Sequence, residues 1–90
     1  MESSQVGRPI HVRVRFASEL AAALGSVRET VRLPAGATLA DLRSQLTSLH
    51  PASLEQLHAC LPVVRGSHRA WTSALEDGAD VTLLTPKAGG

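Results

Sequence analysis

The segment Ile10-His11-Val12-Arg13-Val14-Arg15-Phe16 alternates without a break, with apolar side chains at 10, 12, 14 and 16 and basic ones at 11, 13 and 15. A period of two is the mark of a strand with one face on a core and the other in water, because successive Cβ atoms point to opposite sides. A chain of 90 residues has room for one domain around that strand. At this size folding buries roughly 60% of the surface the unfolded chain exposes. That supports one modest core, not a deep substrate cavity.

The remaining elements follow in order. Ser18 to Leu24 is rich in Ala and Leu, with Ser18 as a possible N-cap and Gly25 suited to a left-handed stop, so it reads as a helix of about two turns. Val27 to Leu33 reads as a second strand ended by Pro34-Ala35-Gly36, pairing antiparallel with the first. Thr38-Leu39-Ala40-Asp41 has the pattern of a capping box. Leu39, Leu42, Leu46 and Leu49 then form one apolar stripe, and His50-Pro51 ends the helix. Ser53-Leu54-Glu55-Gln56 predicts a second capping box, with Leu54, Leu57 and Leu61 on a short helix running up to Pro62. Val63-Val64-Arg65 is a short strand, Gly66-Ser67 a turn, and His68 to Thr72 a return segment. After the turn signal Glu76-Asp77-Gly78, residues Asp80 to Leu84 form the last strand, with Pro86 stopping the ladder. The expected order is β–(short α)–β–α–(short α)–β–β–β, with no internal repeat.

Charge and composition narrow the function classes. Nine basic against eight acidic residues leave a net charge of +1, which is no broad footprint for nucleic acid. One Trp, one Phe and no Tyr do not build a stacking platform for single strands. The lone Cys60 allows neither an intrachain disulfide nor a structural metal cluster. The polar start Met1-Glu2-Ser3-Ser4-Gln5 has no basic region and no apolar stretch behind it, and no run approaches a membrane span. A cytoplasmic protein is expected, with neither membrane nor nucleic acid as partner.

The sequence ends Thr85-Pro86-Lys87-Ala88-Gly89-Gly90. Residues 86–90 are expected to leave the body of the fold as a mobile tail, reaching at most about 17 Å when extended. Two terminal glycines arise by chance about 0.5% of the time at ordinary glycine usage, and a disordered end or an engineered scar gives the same letters. The functional reading rests on placement after the last strand and a proline. An α-carboxylate at Gly90 is an anion at neutral pH and a poor electrophile. An activating group such as the AMP of an acyl-adenylate would change that. Gly90 has no Cβ to obstruct attack and no stereocentre to lose, and Gly89 lets the backbone thread a narrow channel. The chain has no phosphate-cradling glycine loop of its own, so activation needs a partner.

Several pieces, in this order and with this ending, resemble the MoaD/ThiS family of ubiquitin-like sulfur carriers, and within it the branch of molybdopterin synthase small subunits. They are Val12-Arg13-Val14-Arg15-Phe16-Ala17 leading to Gly25, Leu33-Pro34-Ala35-Gly36-Ala37-Thr38-Leu39-Ala40-Asp41-Leu42, Leu75-Glu76-Asp77-Gly78-Ala79-Asp80-Val81, and Pro86-Lys87-Ala88-Gly89-Gly90. The resemblance implies an α+β, ubiquitin-like β-grasp fold: a mixed sheet of about five strands on one main helix plus short helices. Residues 1–9 would be a flexible lead, 10–85 the domain and 86–90 the tail. It also implies a carrier rather than an enzyme, with no bound cofactor and no metal. An E1-like enzyme, supplying ATP and magnesium, would adenylate Gly90, and a sulfur donor would convert it to a thiocarboxylate. The acceptor would be an enzyme such as a molybdopterin synthase large subunit. Gly89 would be the threading neighbour, and Pro86, Lys87 and Ala88 the stretch gripped by partners. Lys87 puts a charge where the family favours a small or apolar side chain.

Some residues carry two readings. Arg8, Arg13, Arg15, Arg28 and Arg32 fall in or beside the first two strands. Arg13, Arg15, Thr30 and Arg32 on one sheet face are either solvated or a docking patch for an acidic partner, with Arg13 and Arg15 at its centre. Cys60, beside Leu61 in a Leu-rich helical stretch, is either a persulfide acceptor or a small buried apolar residue. His50, His58 and His68 match no ligand spacing, and His11 lies on the polar side of the first strand; solvated or capping roles suit them better than a metal. Trp71 either covers the core edge from a strand or anchors an interface. Competing functions are sulfur carriage for cysteine, thiamine or a thiolated secondary metabolite, and a ubiquitin-like modifier joined to protein lysines. An interaction domain with an inert tail is the fourth.

Overall fold

The computed structural model describes residues 8–86. Most of the expected lead-in, and the tail residues Lys87, Ala88, Gly89 and Gly90, lie outside the described residues. Strand β1 (Ile10–Phe16) keeps the alternation to the letter: 10, 12, 14 and 16 are buried, and 11, 13 and 15 are exposed. Helix α1 (Ser18–Leu24) follows and ends at Gly25, whose φ of 75° is the left-handed conformation that only a residue without Cβ adopts freely. The N-cap position belongs to Ala17, in extended conformation, and not to Ser18. Strand β2 (Arg28–Leu33) starts one residue later than expected, leaving Val27 61% exposed.

Helix α2 (Leu39–Leu49) opens on a complete capping box. The Thr38 backbone N–H donates to Asp41 Oδ2 at 2.8 Å, and the Asp41 N–H donates to Thr38 Oγ1 at 3.3 Å. Two further orphan amides of the first turn are satisfied from outside the helix, since Leu39 N–H donates to Ser73 O and Ala40 N–H to Trp71 O. The loop after the fourth strand is thereby tied to the start of α2. Leu39, Leu42 and Leu46 are fully buried, but Leu49 is 54% exposed. The expected stripe is one residue too long: Leu49, in the last turn of α2, lies outside the buried cluster.

A single 3₁₀ turn (Pro51–Ser53) leads into α3 (Leu54–Ala59). The second capping box does not form. Ser53 is buried and its hydroxyl donates instead to Ala23 O at 3.2 Å, linking α3 to the end of α1. Leu57 alone of the expected trio is buried; Leu54 is exposed, and Leu61 has already entered strand β3 (Leu61–Val64). Pro62 therefore lies within a strand rather than ending a helix. Its carbonyl accepts from Arg69 N–H at 3.2 Å on the β4 side, beyond the last paired residue of β4. The missing proline N–H on that same side breaks no ladder bond. The turn falls at Arg65-Gly66, and the return strand β4 is only Ser67–His68.

Strand β5 (Asp80–Leu84) completes a five-stranded sheet of order β2-β1-β5-β3-β4. β1 pairs antiparallel with β2 and parallel with β5, while β3 is antiparallel to both β5 and β4. The inward residues Val12, Val14, Phe16, Val31, Leu33, Val81 and Leu83 pack on Leu20, Leu39, Leu42, Leu46 and Leu57. One main helix across a mixed sheet, with short helices at the crossovers, is the ubiquitin-like β-grasp. Among the described residues, the opposite face of the sheet has no helix on it.

Leucines of the same helix should behave very differently. Leu42→Ala should cost about 2–5 kcal/mol through lost burial and a residual cavity, whereas Leu49→Ala should shift stability by less than about 0.5 kcal/mol. Urea unfolding followed by the single Trp71 checks both values.

Candidate functional site

β5 occupies the middle of the sheet and runs parallel to β1, so its C-terminal end emerges beside Phe16 and Ala17. The ladder ends there: Ala17 N–H donates to Leu83 O at 3.1 Å, Leu84 pairs with Leu61, and Pro86 is exposed. Pro86 is the last described residue and stands four residues before Gly90. Leu61, 36% exposed, and the half-buried Leu84 stand opposite each other at this exit and form an apolar shoulder. Thr85 Oγ1 is buried there with no hydrogen-bond partner among the described residues.

The exposed sheet face beside the exit is built from β1, β2 and β5. Register sets its rows: His11 opposite Arg32, Arg13 opposite Thr30, and Arg15 opposite Arg28, with Asp80 beside Arg13 and Thr82 beside Arg15. The structure thus brings Arg13, Arg15, Thr30 and Arg32 onto one face, and adds Arg28. Arg13 is committed internally. Its Nε and Nη2 donate to Asp80 Oδ1 and Oδ2 at 2.8 and 3.0 Å in a bidentate fork. The His11 backbone N–H donates to Asp77 Oδ1 at 2.8 Å, and the His11 ring lies 3.8 Å from the same oxygen. Arg15, Arg28 and Arg32 make no ion pair among the described residues. Arg13, Arg15, Arg28, Thr30, Asp80 and Thr82 line a shallow depression of ≈ 470 Å³ on this face. Asp80 as the partner of Arg13 is not foreseeable along the chain, since 67 residues separate them.

The remaining candidates fall away from this face. Cys60 follows α3 and is buried, with its thiol donating to Leu57 O at 3.0 Å. Burial pushes the thiol up from 9.0 to about 11, the nearby Arg43 charge opposing only part of the shift. A neutral, enclosed thiol is a packing group, not a nucleophile. His50 caps α2, and its Nε2 sits 2.9 Å from Glu29 Oε2, joining helix to sheet. No group of three His, Cys, Asp or Glu side chains that could hold a metal occurs among the described residues. Trp71 lies in a turn rather than a strand, packs on the core, and carries the Arg43 guanidinium 4.1 Å from its ring centroid. No described helix is long and apolar enough to cross a membrane.

No protein-family model matches the chain. No curated protein matches it either. Solved structures do. A protein described as a candidate molybdopterin converting factor, subunit 1, from Pyrococcus furiosus superposes with a TM-score of 0.78 at 23% identity, over 87% of this chain and 99% of that one. Small archaeal modifier protein 1 from Haloferax volcanii gives 0.76 at 22% identity, over 87% and 99%. The complex of subunits 1 and 2 of the molybdopterin-converting factor from Helicobacter pylori 26695 gives 0.63 at 22% identity, over 90% and 100%. These likenesses establish a MoaD/ThiS-like β-grasp fold.

The buried thiol has a consequence for alkaline stability. Unfolded chains ionise Cys60 near 9.0 and folded ones near about 11. Thiol burial therefore supports the fold fully below pH 9, and that support is lost as pH rises towards 11. Cys60→Ser should flatten that part of a stability-versus-pH curve. In the native protein at pH 8 the thiol should resist Ellman's reagent until denaturant is added.

Proposed function

We propose that the chain is a ubiquitin-like sulfur carrier whose reactive group is the Gly90 carboxylate, serving molybdopterin biosynthesis. The observation that carries this reading is the path of β5. The central strand ends at Leu84 and hands the chain to an exposed Pro86, with two residues between it and the glycine pair. The fold supports it too, since the similar structures include converting-factor subunits and archaeal modifiers.

The chemistry is as follows. An E1-like partner supplies ATP and magnesium. A Gly90 carboxylate oxygen attacks the α-phosphorus, forming a P–O bond as pyrophosphate leaves. Hydrosulfide-equivalent sulfur from a donor then attacks the acyl carbon, a C–S bond forms, and AMP departs with the electron pair of the broken C–O bond. The sulfur of the resulting thiocarboxylate attacks a precursor held on an acceptor enzyme, here a synthase large subunit, forming a C–S bond as the displaced group leaves with its electron pair; water then cleaves the acyl C–S bond and restores the Gly90 carboxylate. Gly89 and Gly90 admit the backbone to a narrow active site. Pro86, Lys87 and Ala88 are the part gripped, with the Leu61–Leu84 shoulder bearing on the partner at the tail's base. The carrier itself supplies an acyl group and a surface, and no general base.

A second reading has support in the likeness to the small archaeal modifier protein. In it the adenylate is attacked by a lysine amine of a target protein, giving an isopeptide and AMP.

Incubation with an E1-like activator, ATP and a sulfur source should give a mass gain matching replacement of one oxygen by sulfur. Gly90→Ala should remove most of the transfer while shifting stability by less than about 0.5 kcal/mol. No mass gain with several activators, together with hydroxylamine-resistant higher-mass adducts in cells, would replace the carrier reading by the modifier one.

A further inference from the structure

β2 is an edge strand, and its outward-facing residues present two kinds of unmet bonding capacity together. The first is charge. Asp77 and Asp80 answer His11 and Arg13 from the β5 side. Arg15, Arg28 and Arg32 have no carboxylate within ion-pair distance among the described residues. Glu29, between Arg28 and Thr30 in sequence, points to the helix side and is taken by His50. Arg15 and Arg28 stand directly opposite each other, a like-charge cross-strand pair that weakens a sheet rather than strengthening it.

The second is the backbone. Phe16 N–H donates to Val27 O at 2.8 Å, one step beyond the Arg15–Arg28 pair. Antiparallel pairs alternate between hydrogen-bonded and non-hydrogen-bonded positions. Val14–Glu29, Val12–Val31 and Ile10–Leu33 are therefore the bonded pairs. Arg28, Thr30 and Arg32 hold the intervening positions and turn their N–H and C=O groups away from β1. The other side of β1 agrees, since Arg13 N–H points to β5 and donates to Ala79 O. Ser26 Oγ donates to Arg28 O at 3.0 Å and closes one end of the edge. Among the described residues, Thr30 and Arg32 have no neighbouring strand on that side.

We propose that the free edge of β2 is a docking strand for an extended acidic segment of a protein partner, with Asp or Glu at alternate positions. Main-chain bonds to Thr30 and Arg32 hold the segment as a sixth strand, and its outward carboxylates meet Arg28, Arg32 and Arg15. Arg28 and Arg32 are about 13 Å apart along the strand, a length that suits a few alternating side chains. A second copy of this chain does not fit, because edge-to-edge pairing would set arginine against arginine. Nucleic acid is disfavoured by the small size of the patch and by the absence of an aromatic side chain on this face. The proposal does not depend on the chemistry at Gly90. It also moves the anion-reading role from Arg13, which Asp80 already holds, to Arg28 and Arg32.

The probe is a seven-residue peptide alternating valine with glutamate, titrated into the ¹⁵N-labelled full chain. Amide shifts should concentrate in residues 28–33, with slowed hydrogen exchange at Thr30 and Arg32. Binding should weaken steeply as salt rises to physiological strength. Arg28→Gln/Arg32→Gln should weaken it by about tenfold, with the spectrum of the free variant otherwise unchanged, and a peptide with lysine for glutamate should not bind. Unchanged affinity in the double variant would overturn the proposal, as would shifts centred on Leu61 and Leu84. Displacement of the peptide by a tighter-binding DNA duplex, or by phosphatidylserine vesicles acting through the same residues, would overturn it as well.

Discussion

One packing contact organises the molecule: the inner face of β1 and β5 against the leucine stripe of α2. Val12, Val14, Phe16, Val81 and Leu83 meet Leu39, Leu42 and Leu46, each essentially removed from water. At about 1.5–3 kcal/mol per buried side chain, this contact is a major source of stability in a chain of this size. It also settles the topology. β1 and β5 lie side by side and parallel in the middle of the sheet. β2 and β3, on either side of them, run the opposite way, and α2 is the crossover that carries the chain from one to the other.

The open sheet face and the exit of β5 are by-products of this arrangement. With the described helices all on one side, the other face of the sheet is left to solvent. With β5 central, the chain beyond Leu84 emerges from the middle of the sheet end rather than along its margin. A central strand is the hardest place from which to unravel a sheet, since both its edges are paired. The chain leaving Leu84 is therefore anchored at its base by pairing to β1 on one side and β3 on the other. The same logic leaves β2 at the margin, where charge is tolerated and edge groups remain available.

The loop between β4 and β5 shows how local accounts can be incomplete. Its residues have no regular structure, yet Trp71 and Ser73 carbonyls receive the first amides of α2, and Leu75 N–H donates to Ala37 O. Trp71 covers the core edge beneath the Arg43 guanidinium. The start of the main helix thus depends on a segment more than thirty residues further on.

Local pattern determined a good deal of this protein. The period of two in Ile10–Phe16, the last strand at Asp80–Leu84, the Thr38–Asp41 capping box and the Gly25 stop are all decided within a few residues, because backbone sterics and neighbouring side chains act at that range. Where the sequence reading failed, the outcome was set at a distance. Leu49 and Leu61 continue a helical spacing on paper, but Leu49 lies outside the packed cluster and Leu61 is drawn into the sheet opposite Leu84. Ser53 has the letters of a cap, yet its hydroxyl found Ala23 O thirty residues earlier. Arg13 and Arg28 look alike in the sequence. Only the folded sheet set Asp80 beside one and left the other on an open edge, because strand order and register are properties of the whole packed core and not of any segment in it.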